Sequence, residues 1–319
     1  MKKPVVMISS VSAKLAMIAA VREAFNKLQP DALIVGADAN PEATGRGYVD
    51  RFIEMPRIEH IHVTDFIESL QSHGVTHIIP SRDGELLFYS RHAEQLKVAG
   101  ISVMVSSVTA IENCLDKYAF YTNFGELFPI IRTGLTTSAN VTRWVVKERF
   151  GAASSGILLD LDTAQAKAQS CQLKNAIYQP YFDGQEYSVD LFITQDNLCN
   201  GYVVRSRDVV VAGESKVTTS HDRPDIGELA VSLALAIGLV GHCLVQVIED
   251  ASQELHIVEI NPRYGGASGL SVSLGLDSFY WFALESCGQT VEGKRLHAYP
   301  ANETLNTLSD QHEKWVHED

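Results

Sequence analysis

From residue 4 to about 105, short apolar runs alternate with stretches whose apolar residues recur at helical spacing. The runs are Val5 to Ile8, Ala32 to Val35, Thr76 to Ile79 and Ile101 to Val105; the helical stretches end near Leu28 or cover Asp65 to His73 and Glu85 to Lys97. A strand covered on both faces is apolar throughout, so this alternation predicts parallel strands joined by helical crossovers. Past Ser106 the rhythm changes. Trp144 to Lys147, Ala176 to Gln179, Gln185 to Thr194, Gly201 to Arg207, His242 to Glu249 and Leu255 to Ile260 are close-set β-like runs with turn residues between them. They predict antiparallel sheets with helices packed on them, an α+β arrangement following an α/β lobe. From Pro300 the chain is polar and ends in Glu318 and Asp319, which predicts a loosely attached tail.

Composition narrows the picture. At 319 residues and 45% hydrophobic content the chain is more than one ordinary domain, which makes a cleft between lobes a natural site. Acidic residues outnumber basic ones, 39 to 26, and no basic tract carries interleaved aromatics, so nucleic acid is not an expected partner. The five cysteines are odd in number and scattered, without metal-binding spacing, and read as reduced thiols of a cytoplasmic protein. The start lacks a signal-peptide pattern, and no 18-residue apolar run suggests a membrane partner; Leu229 to Val240 reads as a buried helix.

The segment Cys243 to Ser268, CLVQVIEDASQELHIVEINPRYGGAS, holds the most chemistry. Two β-like runs flank the turn-forming Asp250 to Gln253, so it reads as a hairpin. Glu259 and Asn261 are two apart and share a strand face; an even number of loop residues would bring Gln246 to the same face. A carboxylate and two amides then offer oxygen ligands to a hard divalent cation. A lone Glu-x-Asn is more often a solvated strand face. The neighbourhood changes that weighting: Pro262 stops the strand, Arg263 adds a planar cation, and Gly265-Gly266 permits close backbone approach to a ligand.

Gln246 followed by Glu259-Ile260-Asn261-Pro262-Arg263 resembles the metal-binding hairpin of ATP-grasp enzymes, in particular a single synthetase domain of the carbamoyl phosphate synthase large subunit and stand-alone carboxylate-amine ligases. Other elements occur in that family's order over roughly residues 1 to 290. The resemblance implies a Rossmann-like pre-ATP-grasp lobe at 1–112, a small lid subdomain at 113–178, a C-terminal antiparallel-sheet lobe carrying the metal hairpin at 179–300, and a polar tail at 301–319. It further implies that Lys117, opening a helix after Cys114-Leu115-Asp116, and Lys147, ending a strand, contact ATP phosphates. Gly151, Ser154 and Gly156 would then lie in a small-residue loop over the triphosphate. Where the family has proline after the lysine, this chain has Glu148. In Ala176 to Asp190, the resemblance places Gln179, Tyr181 and Phe182 on adenine and Glu186 on the ribose.

By the same resemblance the metal ligands are Gln246, Glu259 and Asn261, the cofactors are ATP and Mg2+, with Mn2+ as a substitute, and Arg263 and Arg207 are the catalytic cations. Arg205 and Lys216 lie on neighbouring β-like runs joined through Gly213 and are substrate candidates. In the first lobe, Asp83 and Glu85 sit where a strand passes into a helix, as candidates for binding a substrate amino group; helix capping is the commoner use of such residues. The implied activity is ligation of a small-molecule carboxylate to an amine through an acyl phosphate, with release of ADP and phosphate. The length suits only one synthetase half, which favours a stand-alone ligase; the rival readings are a carbamoyl phosphate synthase-like component needing a partner subunit and a non-catalytic ATP-binding regulatory module. A homodimer is the default assembly.

Overall fold

The computed structural model describes residues 3–12, 14–151 and 156–308. The first lobe is a five-stranded parallel sheet of β1 (Val5–Ser9), β2 (Leu33–Asp38), β3 (Arg51–Glu54), β4 (His77–Ile79) and β5 (Ser102–Val103), in the order β3-β2-β1-β4-β5. Helices α1 (Leu15–Leu28), α2 (Val63–Ser72), α3 (Asp83–Arg91) and α4 (Ala93–Val98) make its crossovers. The helical stretch foreseen at 85–97 is broken at His92. The edge strand β3 escaped the sequence reading because Arg51 and Glu54 interrupt its apolar run.

Two short helices follow, α5 (Val108–Leu115) and α6 (Lys117–Phe124), capped by Ser107 and Asp116 accepting from backbone N–H groups. Beyond them, β6 (Trp144–Glu148), β7 (Leu158–Leu161) and β8 (Ala176–Pro180) form a small antiparallel sheet in the order β7-β6-β8, covered by α7 (Thr163–Ser170). The expected lid range begins too early. Ala110, Cys114, Phe120 and Ile130 are buried in the core of the C-terminal lobe, and only the three-stranded sheet with α7 stands apart.

The C-terminal lobe is a seven-stranded sheet that includes β9 (Gly184–Ile193), β10 (Cys199–Ser206), β11 (Val209–Val211) and β12 (Glu214–His221). After α8 (Pro224–Ile237) come β13 (Gly241–Asp250) and β14 (Leu255–Asn261), then the helices α9 (Gly269–Ser273) and α10 (Ser278–Ser286). The strand order is β11-β12-β10-β9-β13-β14. The stretch from 300 is not loose up to residue 308: β15 (Thr304–Asn306) pairs with β12, and Thr307 N–H donates to Lys216 O at 2.8 Å. Among the described residues no helix is long and apolar enough to cross a membrane.

The two large lobes share a core. Met17, Val21 and Phe25 of α1 pack with Phe279, Phe282 and Ala283 of α10, while Phe192 of β9 meets Trp281 from the other side. His77 of β4 is sealed against this seam. Its ring lies edge-on to Phe25 at 5.0 Å and Phe282 at 5.9 Å, with Nε2 2.8 Å from Ser286 Oγ. Burial holds its pKa down at about 4, against 6.5 when unfolded. Between those values the unfolded chain binds a proton that the native chain does not, so stability is full above pH 6.5 and declines as pH falls towards 4, by about 3 kcal/mol at most. Urea unfolding at pH 7 and 4.5 should show this loss in the native sequence and a smaller one in His77→Gln; equal losses would remove His77 as the cause.

Candidate functional site

The strand β9 alternates strictly. Tyr187, Val189, Leu191 and Ile193 enter the core under α8, so Glu186, Ser188 and Asp190 stand on the opposite face. Residues directly across a ladder share a face. The register sets Arg205 of β10 opposite Ser188, Ser188 opposite Gln246 of β13, and Gln246 opposite Glu259 of β14. One polar row therefore crosses four strands, and it is not a solvated face: Ser188, Asp190 and Arg205 are buried.

The convergence of Gln246, Glu259 and Asn261 has a cause other than an even loop. Glu249 pairs with Leu255, which leaves five residues at the tip; the ladder then slips by one between Val247–Ile257 and Gln246–Glu259. This bulge, with Val258 as the extra residue, returns Gln246 to the face of Glu259. Asn261 Nδ2 donates to Glu259 Oε1 at 3.1 Å, committing the amide nitrogen and not its oxygen. Ser188 Oγ, opposite Gln246, is buried without a hydrogen-bond partner among the described residues. Oxygen donors of this kind around a single carboxylate fit a hard divalent cation.

The small sheet presents the opposing charge. Its Trp144, Val146 and Tyr178 pack on α7, so Val145, Lys147, Ile177 and Gln179 occupy the other face. Lys147 is buried, and burial brings its ammonium pKa down to about 8; Lys117 adds to that, and Glu259 and Glu186 oppose it. For Glu259, burial works to raise the pKa, but Lys147, Lys117 and the Asn261 amide hold it below the usual carboxylate range. No ion pair joins Lys147 to Glu259 among the described residues. Lys117 Nζ donates to Gly151 O, and Arg149 ties the same segment to Asp116. Gly156 closes the loop with a φ of +71°, which favours glycine. Ser154 lies outside the described residues.

At the turn out of β8, Tyr181 N–H donates to Arg143 O at 3.0 Å, and the Arg143 guanidinium lies over its ring at 4.4 Å. Tyr181 N–H is therefore spent, whereas no such bond engages Phe182 N–H among the described residues. The Phe182 ring stacks on His256 at 3.7 Å, and His256 is held by Asp250 at 2.8 Å. Gln179 is buried and donates through Nε2 to Thr133 Oγ1 at 2.8 Å, which orients its amide. Neither Thr133 nor His256 has a sequence signal; both reach the site through tertiary packing.

Several expected ligand contacts are occupied by protein. Arg205 is sealed in an ion pair with Asp190 at 2.7 Å and is not open to substrate. Asp190 also accepts from Ser271 Oγ at 2.6 Å and from Ser268 Oγ, and lies 3.2 Å from His242 Nε2. Burial would raise its pKa, but Arg205 and His242 hold it far below the usual range. Glu85 receives Ser9 Oγ, Ser10 Oγ, Ser81 N–H and Arg82 N–H at 2.8–3.1 Å, so it organises loops instead of binding an amine. Asp83 takes Arg263 in a two-point pair at 2.8 and 2.6 Å, joining the first lobe to the hairpin. Arg207 lies 3.0 Å from Glu186, and Lys216 2.9 Å from Glu214. Gly265 answers internal packing, since a Cβ there would stand 2.9 Å from Leu244 and from Ser268 Oγ. Gly266 is exposed.

Residues 172–306 match the family described as ATP-grasp in the biosynthetic pathway with Ter operon. No curated protein matches the chain. Solved structures similar over nearly its whole length include the following three. N5-carboxyaminoimidazole synthetase from Staphylococcus aureus has a TM-score of 0.73 at 13% identity, over 100% of this chain and 88% of that one. L-amino acid ligase from Bacillus licheniformis has 0.71 at 15%, over 95% and 79%. Biotin carboxylase from Campylobacter jejuni, in a beta-gamma-ATP complex, has 0.73 at 14%, over 94% and 74%.

Proposed function

We propose that this chain, which has the ATP-grasp fold, is an ATP-dependent ligase that joins a small-molecule carboxylate to an amine. The observation that carries the reading is the pair Lys147 and Glu259. The buried Lys147 ammonium on the small sheet and the Glu259 carboxylate on the large one have no ion pair between them among the described residues, and the field of each favours the charged form of the other. Such charges are costly to withdraw from water unless a ligand completes them. A magnesium nucleotide, with anionic phosphates for the lysine and a cation for the carboxylate, does so. Structures of the same fold solved with ADP support the nucleotide half of the proposal.

In this reading Lys117 and Lys147 hold the triphosphate, with Gly151 and Gly156 beside it. Gln179 and the backbone at Tyr181 and Phe182 orient adenine, with Phe182 N–H as the open donor, and Glu186 faces the ribose. Gln246, Glu259 and Asn261 would hold Mg2+, or Mn2+ in its place. When bound, that ion supplies charge neutralisation at the phosphates. Phosphoryl transfer asks the protein mainly for alignment and charge compensation, which these residues are placed to supply. The carboxylate would attack the terminal phosphorus, releasing ADP. An amine would then displace phosphate from the acyl phosphate. Arg207, beside Glu186 and donating to Gly213 O, and Arg263, held by Asp83, stand where added negative charge needs compensation. The small sheet excludes water from the reactive anhydride.

The test is ADP release from Mg-ATP against pools of amino acids and small acids, with ammonia and bicarbonate included. Substrate-dependent release in one pool is the expected result. Tight ATP binding with no release in any pool would replace the ligase with a nucleotide-binding module.

A further inference from the structure

The strand order of the first lobe reverses between β1 and β4, and the crevice outside the carboxyl ends of such a pair is where open α/β sheets take ligands. Here the segment after β1 runs into α1 at Lys14, and the segment after β4 runs into α3 at Asp83. The third wall comes from the C-terminal lobe. Arg263 is bound to Asp83, Gly269 lies where a Cβ would come within 3.7 Å of Ala16 on the first turn of α1, and the Glu214 carboxyl carbon is 3.8 Å from the corresponding position of Gly266. The first turn of α1 has neither a capping side chain nor an acidic residue.

Most cations around this crevice are already matched: Arg263 with Asp83, Arg207 with Glu186, Arg205 with Asp190 and Lys216 with Glu214. Lys14 is half-buried and has no ion pair or hydrogen bond for its ammonium among the described residues. It also belongs to a different electrostatic neighbourhood from Lys147. Lys147 responds to Glu259, Lys117 and Glu186, whereas Lys14 responds to Arg263, Glu214, Asp83 and Glu85. Burial and then Arg263 pull the Lys14 pKa below the usual lysine range, with the three carboxylates opposing. Lys14 opens α1 in the first lobe, whereas Lys147 lies on β6 of the small sheet.

We propose that Lys14 anchors a second, non-reacting carboxylate of the organic substrate in the crevice between β1 and β4, which makes that substrate a dicarboxylic acid or an acidic amino acid rather than a simple monocarboxylate. The reacting end would then extend past Arg263 towards the polar row of β9, β13 and β14. Calling this ligand a substrate rests on the ligase reading; the anion site itself does not.

Direct binding separates the two. Titration calorimetry of the full chain with succinate, glutarate, L-aspartate and L-glutamate, each against its homologue lacking one carboxylate, reads the site without turnover. At least one diacid should bind about tenfold or more tightly than its homologue, as a charge-assisted bond gives. Lys14→Ala should erase that difference and Lys14→Arg restore it, with ADP affinity and thermal unfolding unchanged. Equal binding of diacids and homologues, or discrimination that survives Lys14→Ala, overturns the proposal. Failure of the ligase reading looks different: an acid binds through Lys14, yet no ADP is released with it.

Discussion

An Asp190→Ala chain is expected to lose about 3–5 kcal/mol of folding stability, the cost of leaving a buried charge without its partner. Asp190 is fully buried and receives Arg205, His242, Ser268 and Ser271. Removing it strands a guanidinium that, among the described residues, has only Thr218 Oγ1, at 3.3 Å, as another side-chain partner. The loss should appear as a lower urea midpoint with little change in slope. Because the single variant is at risk of not accumulating, the decisive comparison is Asp190→Leu/Arg205→Met. Replacing the whole pair with apolar groups should recover much of the stability. A single variant as stable as the native chain, or a double variant no better than the single, would show that the pair is not the source.

The second large effect concerns the opposite end of the same sheet face. Glu259→Gln keeps the shape of the side chain and removes its charge. If Glu259 is the sole carboxylate holding the metal, substrate-dependent ADP release should fall by at least about a hundredfold. Binding of metal-free ATP should hold steady or tighten, because Lys147 and Lys117 lose the carboxylate that competes for them. That opposition between turnover and metal-free binding is the signature. A parallel loss of both would point to a damaged fold, and retained turnover would remove Glu259 from the metal site.

The crossover lobe was legible because its strands are apolar on both faces and its helices amphipathic, a contrast visible in Val5 to Leu28 alone. The hairpin of β13 and β14 was legible because its two apolar runs flank a short turn, with Gln246, Glu259 and Asn261 close in sequence. Its register was not: the slip at Val258 depends on how β14 seats between β13 and Ile130, which bridges to Ile257. The short α5, α6 and α7 were partly hidden by their length, since two turns carry little periodicity. The charged residues were hardest. Arg205 read as a ligand group but is sealed against Asp190, Arg263 is held by Asp83, and Glu85 fills the helix-capping role given as the commoner use, accepting from Arg82 N–H. Asp83 and Arg263 are 180 positions apart. Lys14 carries the reverse lesson: beside a first helical turn it has no sequence mark at all, and what distinguishes it is that its ammonium has no partner among the described residues.

The seam between α1 and α10 also bears on how the protein is made. Met17, Val21 and Phe25 leave the ribosome long before Phe279, Phe282 and Ala283 do. The crossover lobe can form its parallel sheet early, but one flank of α1 stays bare until Ser278–Ser286 has been synthesised. During translation that flank is an adhesive apolar surface, so the nascent chain has to be shielded by chaperones or by speed. For the same reason the lobe is not a portable module: cut free after β5 it would carry the half-built seam with it and clump instead of standing alone.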